Sequence, residues 1–176
     1  MALRPLYHGT DINSARTIYE MQSADVHIGS KKVDFGPGFY MTEDIETAKQ
    51  WAVRKAAVRN SKPAIITAMF DEDGAKNLIE RFSDDIRWGR FVINNRNGLS
   101  YIDKVPFKDN NLDSRYPITY GRIADVEVRN IAGKLRKSGN MLDGIESILN
   151  INYSMQYAFH TEEAISYLVS YSYRNI

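Results

Sequence analysis

Side chains able to grip a ligand gather in three short clusters: Leu6-Tyr7-His8-Gly9-Thr10, Phe35-Gly36-Pro37-Gly38-Phe39-Tyr40, and Gln156-Tyr157-Ala158-Phe159-His160. They offer an imidazole at a strand tip, two aromatics behind a tight turn, and a carboxamide at the head of a late strand. Such groups hydrogen-bond and stack, and strand tips present them to a ligand while the scaffold stays rigid. The turn asks its glycines for backbone shapes that other residues resist. Each cluster alone has a plainer reading: His8 as a satisfied structural histidine, Phe39 and Tyr40 as core residues where a strand begins, and Trp51 as a core tryptophan. The clusters have to be weighed together.

Several other chemistries are excluded by residue type. The absence of cysteine removes disulfides, thiolate zinc sites and thiol nucleophiles. Three scattered histidines, His8, His27 and His160, lack metal-ligand spacing, so no metal is expected and His27 receives no role. No Gly-x-Gly-x-x-Gly follows a strand and no Walker-type Gly-x-x-x-x-Gly-Lys occurs, which removes the usual phosphate-cradling motifs. A net charge of +1 gives no footprint for a long nucleic-acid interface. The 43% hydrophobic and 26% charged residues are enough for a real core, and 176 residues suit one domain over 1–176. No stretch approaches the ~20 apolar residues of a membrane span and the start has no apolar signal core, so a cytoplasmic protein without a membrane partner is expected.

The elements that must position the clusters follow from periodicity and punctuation. Pro5-Leu6-Tyr7-His8-Gly9 reads as a first strand, after which Thr10 or Asp11 caps a helix with Ile12, Ala15 and Tyr19 on one face. Residues 22–37 read as a loop that folds over the site. Thr42 then caps a helix to about Asn60, in which Ile45, Ala48, Ala52 and Ala56 repeat at helical intervals. Ala64 to Phe70 is a central strand closed by Asp71-Glu72-Asp73-Gly74, and Ser83-Asp84-Asp85 opens a helix ending near 94–98. Positions 99–116 read as an irregular excursion, and Ile118 to Asp125 as a strand whose Gly121 marks a bulge or close approach. Arg122 and Asp125 read as solvated charges. Weak helical patterns flank Gly139-Asn140 within 130–152. Met155 to His160 is a strand, Thr161 caps a short helix, and Leu168 to Tyr173 is a final strand. This irregular mixture argues for α+β and against a regular parallel array.

The clusters converge on a family. Leu6-Tyr7-His8-Gly9-Thr10 resembles the strand of diphtheria-toxin-like and poly(ADP-ribose)-polymerase-like ADP-ribosyltransferases in which an NAD-binding histidine precedes a glycine and a hydroxyl residue. Phe35-Gly36-Pro37-Gly38-Phe39-Tyr40 resembles their Phe-Gly-x-Gly-x-Tyr turn and strand. Trp51, eleven residues beyond Tyr40, falls where that family places an aromatic over nicotinamide. Gln156-Tyr157-Ala158-Phe159 is similar to the last signature strand, where the polymerases carry a catalytic glutamate. The whole pattern, with Arg122-Ile123-Ala124-Asp125, also resembles a family of short bacterial proteins in which glutamine often takes that third position.

The resemblance implies two small, mainly antiparallel sheets forming an NAD cleft flanked by helices. It implies NAD as co-substrate, bound by His8, Gly9, Thr10, Tyr40 and Trp51, with His8, Tyr40 and Gln156 as catalytic residues. His8 would hold a ribose hydroxyl and the Gly9 backbone the nicotinamide carboxamide. Tyr40 and Trp51 would sandwich the cationic ring, at roughly 0.5 to 2 kcal/mol per contact. Capture and orientation prepare the glycosidic bond to break through an oxocarbenium-like transition state. Gln156 departs from the pattern: its carbonyl can accept from a ribose hydroxyl, but it carries no charge and cannot act as a base. NAD binding is therefore implied more firmly than fast turnover, and polymer elongation is argued against. Glu162 and Glu163 lie beyond the strand, at a helix start that favours acidic residues on its own account.

The expected activity is mono-ADP-ribosyl transfer from NAD to a macromolecular acceptor, a protein or the end of a nucleic acid. The resemblance also implies a bacterial toxin or defence role, with a small antitoxin protein as partner. The alternatives are a catalytically weak NAD or ADP-ribose binding module and an NAD glycohydrolase.

Overall fold

A seven-stranded mixed sheet runs from near the start of the chain to its last residues, in a computed structural model that describes residues 3–30, 33–83, 85–97, 101–102, 105–106, 109–124, 145 and 154–176. Its strands are β1 (Leu3–Asp11), β2 (Phe39–Thr42), β3 (Pro63–Asp71), β4 (Ile79–Arg81), β7 (Ile118–Arg122), β8 (Met155–Phe159) and β9 (Leu168–Asn175). They lie in the order β4-β7-β8-β2-β1-β3-β9, and the pairs are antiparallel except β4 with β7. Two-residue strands β5 (Tyr101–Ile102) and β6 (Val105–Pro106) form a separate hairpin inside the stretch expected to be irregular. The described helices are α1 (Ile12–Met21), α2 (Ile45–Val58), α3 (Glu72–Ala75), α4 (Asp85–Asn97) and α5 (Glu162–Ile165). The α+β class is as expected. The weak helical patterns of 130–152, Ile145 apart, and the strand end at Asp125 lie outside the described residues.

The expectation of two sheets is corrected. One sheet carries all seven strands, and its halves β4-β7-β8-β2 and β1-β3-β9 are joined at the β2–β1 seam by a single registered pair, Tyr7↔Thr42. By contrast, β1 pairs with β3 through all nine residues from Leu3 to Asp11. All four β2 residues pair with β8, but only the last of them, Thr42, meets β1, just before the chain turns into α2. Hydrophobic pattern identifies strands but does not reveal how briefly two of them touch.

The two faces of the sheet are covered differently. One carries Leu6, Phe39, Met41, Ile66, Phe70, Ile118, Tyr157 and Phe159, all fully or nearly buried, together with Ala15 of α1 and Ala164 and Ile165 of α5. Alternation in β3 sends Ala64, Ile66, Ala68 and Phe70 there, while Ile65 is fully buried on the other side, in keeping with the central strand expected from this apolar run. On the opposite face, Phe35, Phe82, Ala158 and the α4 residues Trp88, Phe91, Val92 and Ile93 form a second cluster over β7 and β8. The Trp88 indole N–H donates to the Arg122 carbonyl at 3.0 Å.

The β1 half of that opposite face is covered by α2. Its alanines Ala48, Ala52 and Ala56 are buried at four-residue spacing, a smooth ridge that brings the helix down on β1. At Gly9 the approach is so close that a Cβ would stand 1.9 Å from the Ala48 carbonyl oxygen and 2.5 Å from the Ala52 amide nitrogen. Only glycine fits there without moving backbone. The α1 N-cap is Asp11, which accepts from the Asn13 and Ser14 amides at 3.1 Å. Asp44, and not Thr42, caps α2: its carboxylate accepts from the Glu46 and Thr47 amides, while the Thr42 hydroxyl accepts from the Asp44 amide one step earlier.

Candidate functional site

The seam positions the residues picked out by the sequence. His8 follows Tyr7, the only β1 residue registered with β2. The backbone ladder therefore leaves the Tyr40 carbonyl to a side chain, and His8 Nδ1 donates to it at 2.5 Å. The imidazole is only 7% exposed and lies 4.4 Å from the Phe39 ring, tilted by 31°. Its other nitrogen, Nε2, accepts from the Lys55 ammonium of α2 at 3.1 Å. These partners put the ring proton on Nδ1 and keep His8 neutral. Burial and the Lys55 charge hold its pKa well below the ordinary value, against the opposing pull of the Tyr40 carbonyl.

Lys55 itself is perturbed. Burial of its ammonium and the charge of Arg59 bring its pKa down to about 8, while Asp11 acts the other way. Arg59 is committed to the helix cap, donating to Asp11 Oδ2 and Ser14 Oγ at 2.5 Å each. Burial resists ionisation of Asp11, but the hydrogen bonds from Ser14 and the Arg59 pair prevail and hold its pKa at about 2. Thr47, Trp51 and Lys55 follow one another at four-residue spacing and so share one stripe of α2. Thr47 reaches Ser154 at 3.3 Å, and Trp51 is half-buried between Thr47 and Lys55.

Tyr40 and Gln156 share the face opposite the main core. The pairs Tyr40↔Ala158 and Thr42↔Gln156 put them on diagonal neighbours of β2 and β8, with Gly121 of β7 beside Gln156. The Tyr40 hydroxyl donates to the Gly36 carbonyl at 2.6 Å and accepts from the Phe35 amide at 2.9 Å. Its ring stacks at 6.5 Å and 20° on Phe35, and among the described residues it makes no ring contact with Trp51. Burial, reinforced by the nearby Asp34 carboxylate, raises its pKa well above the usual phenol value. The hydroxyl thus stays protonated and braces the turn, in which Gly36 takes φ +86°.

The turn is held from behind as well. His160, 2% exposed, donates from Nδ1 to the Pro37 carbonyl at 2.5 Å and accepts at Nε2 from the Thr119 hydroxyl at 2.9 Å. Burial brings its pKa down to about 4. Thr10, also assigned to NAD, is 2% exposed and paired with Ala64 on β3.

Sequence reasoning missed Asp34. Its carboxylate is 4% exposed and accepts from Arg96 Nε at 2.6 Å, the Ala124 amide at 2.9 Å and Gln156 Nε2 at 2.9 Å. The signal was an acidic residue directly before an aromatic and a Gly-Pro-Gly turn, a place where solvation would be the default.

The structure brings His8, Tyr40 and Gln156 onto three successive strands, with Trp51 and Lys55 on the helix beside them. A cavity of about 390 Å³ bounded by Gln22, Ser23, Glu162 and Ser170 among others includes none of these residues. Among the described residues no His, Asp and Glu group could hold a metal, and no helix is long and apolar enough to cross a membrane.

A family model described as protein of unknown function (DUF3990) matches residues 5–169, a span that contains His8, Tyr40, Trp51 and Gln156. The chain belongs to that family. No curated protein and no solved structure matches it. The family span begins in β1 and ends in β9, so it takes in both halves of the sheet and the seam between them.

Proposed function

We propose that the chain is a mono-ADP-ribosyltransferase that binds NAD at the β1–β2 seam and transfers ADP-ribose to a macromolecular acceptor, protein or nucleic acid. The observation that carries this reading is the placement of His8, Tyr40 and Gln156 on the neighbouring strands β1, β2 and β8, with His8 bonded to the Tyr40 carbonyl across the seam and the α2 stripe that bears Trp51 reaching His8 through Lys55. His8 offers one ring nitrogen whose present partner is a long surface lysine. A ribose hydroxyl can take that place by turning Lys55 aside, while Nδ1 stays on the Tyr40 carbonyl. Trp51 supplies a flat face for the nicotinamide. The Tyr40 ring is set by its bonded hydroxyl and by Phe35, so it is ready before the ligand arrives. Gln156 contributes a carbonyl acceptor and no charge. A toxin or defence role held in check by a small antitoxin, in a cytoplasmic setting, belongs to the same reading.

The second reading is a binding module for NAD or ADP-ribose with little turnover. It is favoured by the neutral Gln156 at the position where a carboxylate would stabilise the developing cation. Adenylate-labelled NAD incubated with the protein and a nucleic-acid-containing cell extract separates the readings, with nicotinamide release followed in parallel. Transferred label that His8→Ala and Tyr40→Ala both abolish is the expected result. Binding without label or nicotinamide supports the module, nicotinamide without label points to a glycohydrolase, and lack of NAD binding removes all three.

A further inference from the structure

We infer that Asp34 is a positioning residue that fixes the Gln156 carboxamide with its oxygen turned to the ligand. The inference rests on the transferase reading above. A carboxamide has two ends of nearly equal shape and opposite hydrogen-bonding character, and only the oxygen can accept from a ribose hydroxyl. Gln156 Nε2 is spent on Asp34 Oδ2 at 2.9 Å, and Oε1 accepts from none of the described residues. A flip would turn Oε1 against the carboxylate, setting two acceptors face to face in a site where both residues are buried.

Asp34 can do this because it cannot move. Its Oδ1 faces the Arg96 guanidinium of α4, and its Oδ2 also takes the Ala124 amide beyond β7 at 2.9 Å. Arg96 reaches on to the Ala124 carbonyl at 2.7 Å. One carboxylate thus ties α4, the end of β7 and β8 to the residue immediately before the Phe35-Gly36-Pro37-Gly38 turn. The Arg96 pair offsets part of its charge, and its contribution to Gln156 is orientation. Replacing Gln156 alone by glutamate would set two carboxylates against each other, which makes that substitution a poor way to restore a catalytic acid at this position.

The test is a reciprocal swap. Asp34→Asn, Gln156→Glu and the double variant Asp34→Asn/Gln156→Glu are compared with wild type for NAD binding, nicotinamide release and the NMR signals of the Gln156 side-chain NH₂. Asp34→Asn is expected to lower kcat about tenfold or more while the Kd for NAD stays within about threefold, a split that general loss of structure would not give. The wild-type Gln156 NH₂ protons are expected to be shifted and slow to exchange, and to lose both properties in Asp34→Asn. Gln156→Glu is expected to be poorly active, and the double variant, whose amide at 34 can donate to a carboxylate at 156 while the Ala124 amide loses its acceptor, to recover activity well above Gln156→Glu. Wild-type turnover in Asp34→Asn, or free-amide signals from wild-type Gln156, overturns the inference. If Asp34→Asn does not fold, a double variant no better than Gln156→Glu overturns it equally. Wild-type protein that neither binds NAD nor releases nicotinamide overturns instead the reading beneath it.

Discussion

Two buried histidines grip the two ends of the same turn and strand, and they differ in a single partner. His8 and His160 each donate from Nδ1 to a backbone carbonyl at 2.5 Å, Tyr40 in one case and Pro37 in the other. Both are kept neutral by burial. At Nε2, however, His160 meets the Thr119 hydroxyl inside the sheet, whereas His8 meets the ammonium of Lys55, a residue exposed on α2. The first histidine is closed on both sides by groups that cannot leave. The second is closed on one side and capped on the other by a side chain with four rotatable carbons that water would readily receive. Burial and a lowered pKa therefore do not distinguish structure from site here; the replaceability of the second partner does.

The comparison can be broken most severely through Gly9. Gly9→Ala drives a methyl into the α2 backbone, and because no side chain can yield there the helix must lift from β1. A loss of about 4 kcal/mol is expected in urea unfolding, together with loss of the Lys55 cap on His8. Next, His160→Ala orphans the Thr119 hydroxyl and the Pro37 carbonyl and should cost about 3 kcal/mol; His8→Ala orphans the Tyr40 carbonyl alone, since Lys55 can turn to solvent, and should cost about 2 kcal/mol. Equal losses in the two variants would erase the distinction drawn above.

Acid sharpens it. The His160 imidazole binds its proton at 6.5 in the unfolded chain and at about 4 in the folded one, so the unfolded state takes up more protons as pH falls. Its contribution is fully present above pH 6.5 and disappears as pH drops to about 4, a decline of about 3 kcal/mol. His8 adds a slope of the same sign. Unfolding free energies measured across this window should lose the His160 part in His160→Gln and keep the His8 part. The smallest effect is expected from Lys55→Met. Removing that charge should raise the His8 pKa toward its ordinary value, readable in an imidazole NMR titration, and leave His160 unchanged.

Much of this was legible in the chain because local chemistry decided it. The strands around His8 and Gln156, the alanine ridge of α2 and an α1 cap at Thr10 or Asp11 follow from alternation, helical spacing and short polar side chains before an apolar run, and the structure settles the cap on Asp11. The three clusters also fall on strands that are neighbours in the sheet, β1, β2 and β8. What could not be read was long-range. The single Tyr7↔Thr42 pair makes one sheet of two halves, and nothing within four residues of β2 says which strand it touches or for how long. Asp34 and His160 were passed over because their partners lie far along the chain, at Arg96, Ala124 and Gln156 for one and at Pro37 and Thr119 for the other. An acidic residue in a polar loop looks solvated until its donors arrive from elsewhere.

The most direct measurement is the imidazole nitrogen spectrum of the protein recorded with and without NAD. The His8 Nε2 signal should move as a ribose hydroxyl replaces Lys55, while both His160 nitrogens stay in place. His8 and His160 signals that are equally indifferent to millimolar NAD would contradict the account, because the open nitrogen of His8 would then have no ligand to receive.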